Sequence, residues 1–200
     1  MILKAQRGRG KKIHILLDDE YVVTTDIDYW AEIFVADGTD ITDDEWQEIY
    51  EKINYRKAFN KCADLLSRRN HSVKELKTKL LKSVDSTSAD KAIEKFIEMG
   101  YLDDEKFAYD YADYLLKYKN FSENHIKQEL FYKGISKDII SNVIDDLDAD
   151  NVQAIIKIIN KSYSNKLKAD GGENKVIVAL MRKGFSYGDI KSALYEFENE

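Results

Sequence analysis

The sequence predicts a mainly α protein. Three tandem three-helix repeats stand in an elongated, curved arrangement behind a small N-terminal cap made of a β-hairpin and helices. Three observations predict it. Leu80, Leu130 and Leu180 lie 50 residues apart, and Leu76, Ile126 and Val176 repeat that interval one helical turn earlier. Ser72, Ser122 and Gly172 open the same segments, and Lys133-Gly134-Ile135-Ser136 recurs as Lys183-Gly184-Phe185-Ser186. A fixed period of this size marks stacked supersecondary units. Proline is absent, where average usage would supply about ten residues; a residue that breaks helix interiors is missing throughout. Charged residues make up 34% of the chain, above the usual ~25%, as helices with much surface require.

The cap is residues 1–54. Lys12–Leu17 and Tyr21–Thr25 are β-prone, and Asp18-Asp19-Glu20 between them suits a turn, so a hairpin is expected, with a first strand near Ile2–Gln6. An isolated hairpin is marginal in water. It needs the helix suggested by Asp28–Val35, which Asp37-Gly38 should end. Thr42-Asp43-Asp44-Glu45 reads as a capping box, and the helix it opens carries Trp46, Ile49, Tyr50 and Ile53.

The first repeat is residues 55–102. Ala58, Phe59, Cys62, Leu65 and Leu66 follow helical spacing in its first helix. Ser72 caps the second, with Glu75 three residues on, and Val73, Leu76, Leu80 and Leu81 form its apolar face. The third follows Ser88, carries Ala92, Ile93, Phe96, Ile97 and Met99, and stops at Gly100. The second repeat, 103–150, starts at the N-cap Asp103. Phe107, Ala108, Tyr111, Ala112, Leu115 and Leu116 line its first helix, and Ile126 and Leu130 its second. Ser136 caps a third with Ile139, Ile140, Val143, Ile144 and Leu147. The third repeat, 151–200, has Val152, Ile155, Ile156 and Ile159, then a polar connection over Ser164–Asn174. Val176, Ile177, Leu180, Ile190, Ala193, Leu194 and Phe197 follow.

Composition narrows the chemistry. Cys62, the single cysteine, excludes an internal disulfide and sits among core positions as a buried thiol. The N-terminus lacks the apolar stretch of a signal peptide, and no run approaches a membrane span; a cytoplasmic location is expected. His14, His71 and His125 lack ligand partners at metal spacing. Asp37–Glu48 fails as a calcium loop, because its fifth position is Ile41 and its glycine position is Thr42. Gly8-Arg9-Gly10-Lys11-Lys12 lacks the spacing of a phosphate loop. No nucleophile has a base beside it. The chain is therefore expected to be no enzyme and to need no cofactor or metal.

Charge is banded. The total is −6, but residues 1–50 carry −7, 51–100 carry +5, 101–150 carry −6 and 151–200 carry +2. Arg68, Arg69, Lys74, Lys77, Lys79 and Lys82 cluster around the first two helices of the first repeat. Lys117, Lys119, Lys127 and Lys133 hold comparable places in the second, and Lys175, Arg182 and Lys183 in the third. Long charged side chains ordinarily cover solvated helical faces. The sharper reading is one strip that meets an acidic protein surface or DNA phosphates.

Gly100-Tyr101-Leu102-Asp103-Asp104 followed by Phe107-Ala108 matches a glycine–aromatic–aliphatic–Asp-Asp–x–x–aromatic–Ala signature. With Leu65–Arg69, Ser72, Glu75-Leu76 and Leu130 before Lys133-Gly134-Ile135, it makes residues 55–200 resemble the RecX family, regulators of the RecA recombinase. The long polar connection before Gly171-Gly172, and an isoleucine-rich helix lacking an aromatic–Ala pair, depart from that pattern in the third repeat. The signature residues have structural work: Asp103 caps, Asp104 and Glu105 favour a helix N-terminus, and Tyr101, Leu102 and Phe107 should fill the junction between repeats. The resemblance implies a monomer lying in the groove of the RecA–single-stranded-DNA filament and contacting several protomers. There it regulates, most often by inhibiting, the ATPase, strand exchange and filament growth, in homologous recombination, DNA repair and the SOS response. The basic residues above are then the expected contacts. Two other readings remain: a helical-repeat protein that binds DNA directly, where the acidic total and the acidic second repeat oppose tight duplex binding and leave weak single-strand binding, and a structural adaptor for another protein.

Overall fold

The computed structural model describes residues 1–147 and 149–199. Among them the chain forms two compact units. One comprises Met1–His71 with Leu76–Leu102; the other comprises Ser72–Glu75 with the chain from Asp103 onward.

The first unit opens on β1 (Ile2–Arg7), β2 (Lys12–Leu17) and β3 (Glu20–Asp26), followed by α1 (Ile27–Ile33) and β4 (Thr39–Asp40). The strands make an antiparallel sheet of order β3-β2-β1-β4, so the expected hairpin is part of a four-stranded sheet. Its turn is two residues, because Glu20 already pairs with Leu17 in β3. Asp18 and Asp19 both take positive φ, 48° and 68°. That is the type I′ geometry a right-twisted hairpin prefers, and aspartate tolerates it. Alternation puts Leu3, Ile13, Ile15 and Val23 on one face, packed with Trp30, Ile41, Ile49 and Ile53. The helix expected to run to Val35 ends earlier. Phe34 turns left-handed at φ 58°, and Asp37-Gly38 instead leads the chain into β4, with the Gly38 amide donating to Leu3 carbonyl at 2.8 Å. Asp37 also accepts the Ala5 amide at 2.8 Å, which covers an edge group of β1 that the two-residue β4 does not reach.

The capping box forms as expected: Thr42 Oγ1 accepts the Glu45 amide and Glu45 accepts the Thr42 amide. The helix it opens, α2 (Asp43–Leu66), runs unbroken for 24 residues. Its N-terminal half buries Ile49 and Ile53 against the sheet, and its C-terminal half buries Ala58, Cys62 and Leu65. No proline or glycine interrupts residues 43–66, so nothing forces a break between the cap and the first triplet. α3 (Val73–Leu80) and α4 (Ser86–Glu98) follow. α4 starts two residues before the expected cap: Asp85 accepts the Ser88 amide at 2.8 Å and its hydroxyl at 2.9 Å. Burial opposes the Asp85 carboxylate, but the bonds from Ser88 and Asn54 outweigh it and hold its pKa below the ordinary value. Four residues expected inside are outside: Leu81 is 48% exposed, Ile97 47%, Met99 39% and Tyr101 70%.

The second unit contains α5 (Asp104–Lys119), α6 (Glu123–Tyr132) and α7 (Lys137–Asp145), capped by Asp103, Ser122 and Ser136. Phe107, Ala112, Leu115, Ile126, Leu130, Val143 and their neighbours form one core. α8 (Asn151–Ser162), α10 (Gly172–Arg182) and α11 (Tyr187–Asn199) enclose another around Ile155, Ile159, Val176, Leu180 and Ile190. The polar connection between α8 and α10 contains a one-turn helix, α9 (Ser164–Leu167).

Each of the leucines 50 residues apart is fully buried, as are Leu76, Ile126 and Val176. Ser72 and Ser122 are buried too, and each does two things. Each hydroxyl accepts its helix's third amide (Glu75, 3.2 Å; His125, 3.3 Å) and donates to a lysine carbonyl 61 residues later. Those acceptors are Lys133 at 2.6 Å and Lys183 at 3.0 Å. The glycines that follow the lysines, Gly134 and Gly184, have φ of 85° and 86°. The Gly184 amide donates to Met181 and the Phe185 amide to Leu180, a left-handed helix ending that a glycine permits. A Cβ on Gly184 would come within 2.6 Å of Ser122 Oγ.

Gly184→Ala should therefore destabilise the chain by about 1–3 kcal/mol, and Ser122→Ala by about 1–2 kcal/mol. Both damage one joint, so the double variant should lose less than the sum. Urea unfolding followed by circular dichroism measures all three; full additivity would separate the serine from the glycine.

Candidate partner-binding surface

The expected contact residues divide over the two units. Arg68, Arg69, Lys77, Lys79 and Lys82 belong to the first; Lys74, Lys117, Lys119, Lys127, Lys133, Lys175, Arg182 and Lys183 belong to the second. What matters for binding is which of these cations are already engaged.

In the first unit Arg68 pairs with Asp64 at 2.9 Å, one turn back on α2. Lys77 reaches Asp90 of α4 at 2.7 Å. Lys79 donates to His71 Nε2 at 2.8 Å, and His71 Nδ1 lies 2.9 Å from the Arg69 carbonyl. A carbonyl only accepts and an ammonium only donates, so the ring carries its proton on Nδ1. Arg69 also donates to the Asn70 carbonyl at 2.8 Å. Lys82 is exposed and makes no ion pair among the described residues.

In the second unit the stem of Lys74 lies over Gly134. Lys133 is more enclosed than Arg68, Lys77 or Lys117. Its ammonium is 2.6 Å from Glu75 and 5.2 Å from the centre of the Tyr111 ring. Tyr111 donates to Glu129 at 3.2 Å. Burial, and then the Glu129 carboxylate, push the Tyr111 hydroxyl up to about 12. Lys117 pairs with Asp113 at 2.7 Å, and Lys119 stands over the Tyr114 ring at 5.6 Å. Lys127, Lys175, Arg182 and Lys183 are exposed and have no ion pair among the described residues. With Lys82, they are exposed members of the set with neither an ion pair nor a ring contact among the described residues. All of them lie on, or one to three residues beyond, the second helix of a triplet.

Sequence reasoning assigned Phe107 and Tyr111 to the core and passed over Tyr114 and Tyr118. Phe107, Tyr111, Tyr114 and Tyr118 form a ladder along α5, with successive ring centres 5.5, 6.4 and 5.7 Å apart. Tyr118 is 74% exposed. Spacings of three and four residues were the available signal. Asp104, expected to act only on its own helix N-terminus, accepts the Val73 amide at 2.8 Å. Burial raises its carboxyl above the ordinary value. Asp146 accepts from Tyr109 at 2.6 Å.

The other candidate chemistry stays apart from this surface. Cys62 is fully buried, and burial pushes its thiol up to about 11. Among the described residues no group of three or more His, Cys, Asp or Glu could hold a metal ion, and no helix is long and apolar enough to cross a membrane.

Comparison with known proteins follows the same division into triplets. Residues 58–96 match the RecX first three-helix domain, and residues 103–144 match the second. A regulatory protein RecX of Bacillus licheniformis is 30% identical over 205 residues, covering 99% of this chain and 77% of that protein. The chain belongs to the RecX family. A regulatory protein RecX of Clostridioides difficile is 26% identical, over 98% of this chain and 94% of its own length. Two crystal structures share the fold. That of a regulatory protein RecX has a TM-score of 0.66 at 20% identity and covers 99% of this chain and 97% of that one. That of RecX from Lactobacillus salivarius has a TM-score of 0.63 at 24% identity and covers 74% and 98%. The relatives are named regulatory proteins, and this RecX chain is a RecX-like regulator.

The Cys62 environment yields a check on the fold of the first unit. A thiol reagent at pH 8 should leave the native chain unmodified over hours and label it at once in denaturant. Rapid native labelling would mean that α2 opens where Cys62 sits.

Proposed function

We propose that this RecX chain regulates the RecA recombinase by binding the RecA–single-stranded-DNA filament. It lies as a monomer in the filament groove and contacts more than one protomer. From there it restrains ATP hydrolysis, strand exchange and filament growth during recombinational DNA repair and the SOS response, in the cytoplasm. Family membership supports a regulatory protein. The observation that carries the reading further is the repetition of one structural joint: serine hydroxyl, lysine carbonyl and left-handed glycine recur 50 residues apart. A chain that repeats its own docking unit suits a partner that repeats along a polymer, because weak contacts gain from high effective concentration. The expected contacts are Arg68, Arg69, Lys74, Lys77, Lys79, Lys82, Lys117, Lys119, Lys127, Lys133, Lys175, Arg182 and Lys183. Lys82, Lys127, Lys175, Arg182 and Lys183, exposed and without ion pairs among the described residues, should outweigh Arg68, Lys77, Lys117 and Lys133, each of which must first give up its carboxylate.

Direct single-strand binding is the second reading, favoured by the tyrosine ladder of α5 with Lys119 over the Tyr114 ring. The net charge of −6 opposes tight binding to a duplex.

Saturating chain should reduce the ATPase and strand exchange of RecA on single-stranded DNA. Reversal of Lys127, Lys175 and Arg182 to glutamate should weaken filament binding about tenfold or more. Unchanged RecA activities would end this reading. Salt separates it from the second: six to ten phosphate contacts would lose about 10³–10⁵ in affinity between 50 and 200 mM salt, whereas a protein-centred contact should lose much less.

A further inference from the structure

The 50-residue period has a second series, and it faces outward. Leu81, Phe131 and Met181 each follow one of the buried leucines by a single residue. They are 48%, 59% and 50% exposed, while the preceding leucines are fully buried. Packing explains the first series and leaves the second without a reason, since one position along a helix turns the side chain about 100° away from the core. Scattered exposed apolar residues are ordinary. These three hold the same place in every triplet, at the end of its second helix.

Their backbones are fixed. The Gly134 amide donates to the Phe131 carbonyl at 3.0 Å, the Gly184 amide to the Met181 carbonyl at 2.9 Å, and the Leu81 amide to the Lys77 carbonyl at 3.0 Å. Each stands beside a cation that makes no ion pair among the described residues: Lys82 follows Leu81, Arg182 follows Met181, and Lys127 lies one turn before Phe131. An exposed apolar side chain on a fixed backbone, with an open positive charge near it in the chain, is complementary to a small apolar socket rimmed by carboxylates. It is poorly matched to a lipid surface, which needs a continuous apolar helix face.

We infer that Leu81, Phe131 and Met181 are equivalent apolar anchors, one per triplet, for a protein polymer whose subunits each present an apolar socket bordered by acidic residues. This rests on the reading that the partner is the RecA filament. The partner recognises the anchor by burial and the neighbouring lysine or arginine by charge. Each anchor adds its contact to the others', so a polymer that offers several sockets is held more tightly than a single subunit.

The test uses the full-length chain and RecA filaments assembled on oligo(dT) with a slowly hydrolysed ATP analogue, with binding measured by co-sedimentation. Each of Leu81→Ser, Phe131→Ser and Met181→Ser should weaken binding about fivefold to twentyfold, the worth of burying one apolar side chain, and the triple variant more than a hundredfold. Tyr195→Ser, at a residue 72% exposed but outside the series, should change nothing. The losses should persist at about 0.5 M salt, where exposed charges are screened, and melting temperatures should stay unchanged because the substituted side chains are exposed. Failure of the wild-type chain to bind the filament would remove the RecA reading and the anchors with it. Wild-type binding with an equally tight triple variant would remove the anchors alone. Two other results overturn the inference: a wild-type dimer in sedimentation that the triple variant abolishes, which would assign the anchors to a second copy of the chain, and equal loss of binding to bare oligo(dT), which would assign them to bases.

Discussion

The Ser122 hydroxyl has to meet two demands at once. A helix start leaves backbone amides without partners, and a helix end leaves carbonyls without partners. Ser122 accepts the His125 amide at one and donates to the Lys183 carbonyl at the other. A hydroxyl is well suited to this, because it both donates and accepts; an aspartate at the same place could cap but would repel the carbonyl. The approach this requires leaves no room for a side chain on Gly184, whose left-handed backbone in any case favours glycine. Serine and glycine are thus parts of one device. Ser72, Lys133 and Gly134 make the same device in the same unit, with the Lys74 stem lying over the glycine.

That coupling explains why so much of the architecture was legible in the sequence. Buried leucines alone would mark any helix. Leucines at a fixed interval, each preceded by a serine or glycine at a fixed distance, mark a joint that is built repeatedly. The third segment opens on Gly172, and no serine hydroxyl stands there. The turn before it differs accordingly: Gly171 is left-handed at φ 65°, and Gly172 packs against the α9 backbone, where a Cβ would collide with the Lys166 carbonyl. The polar connection that departs from the pattern is thus a folded element.

Other features were hidden for physical reasons. Thr39–Asp40 is too short a strand to have an alternation pattern, and it exists because β1 offers it an edge. The continuity of α2 was missed because its two halves bury different neighbours, and a change of neighbour reads like a boundary when only apolar spacing is visible. Leu81 was placed inside because it adjoins Leu80; spacing arguments resolve the face of a helix poorly at its last turn. For the basic residues the sequence shows charge but not partners. Glu75 lies 58 residues from Lys133, and Asp90 lies 13 from Lys77. Only the fold separates those cations from Lys127, Lys175 and Arg182, which have no ion pair among the described residues.

This separation has a consequence for the kind of partner the chain can hold. A surface built for a duplex would leave most of its cations open, since each released counterion adds to affinity. Here many of the basic side chains expected at the surface already lie against carboxylates or rings, and the chain as a whole is acidic. The remaining open charges sit at the second helix of the triplets, where the exposed apolar residues also stand. Charge mixed with apolar area in small separate patches is the composition of a protein–protein contact. In the second unit the serine–lysine–glycine joints hold the ends of α6 and α10, which carry two of these patches. A substitution that loosens a joint would then displace a patch and weaken binding to the proposed partner without touching a contact residue.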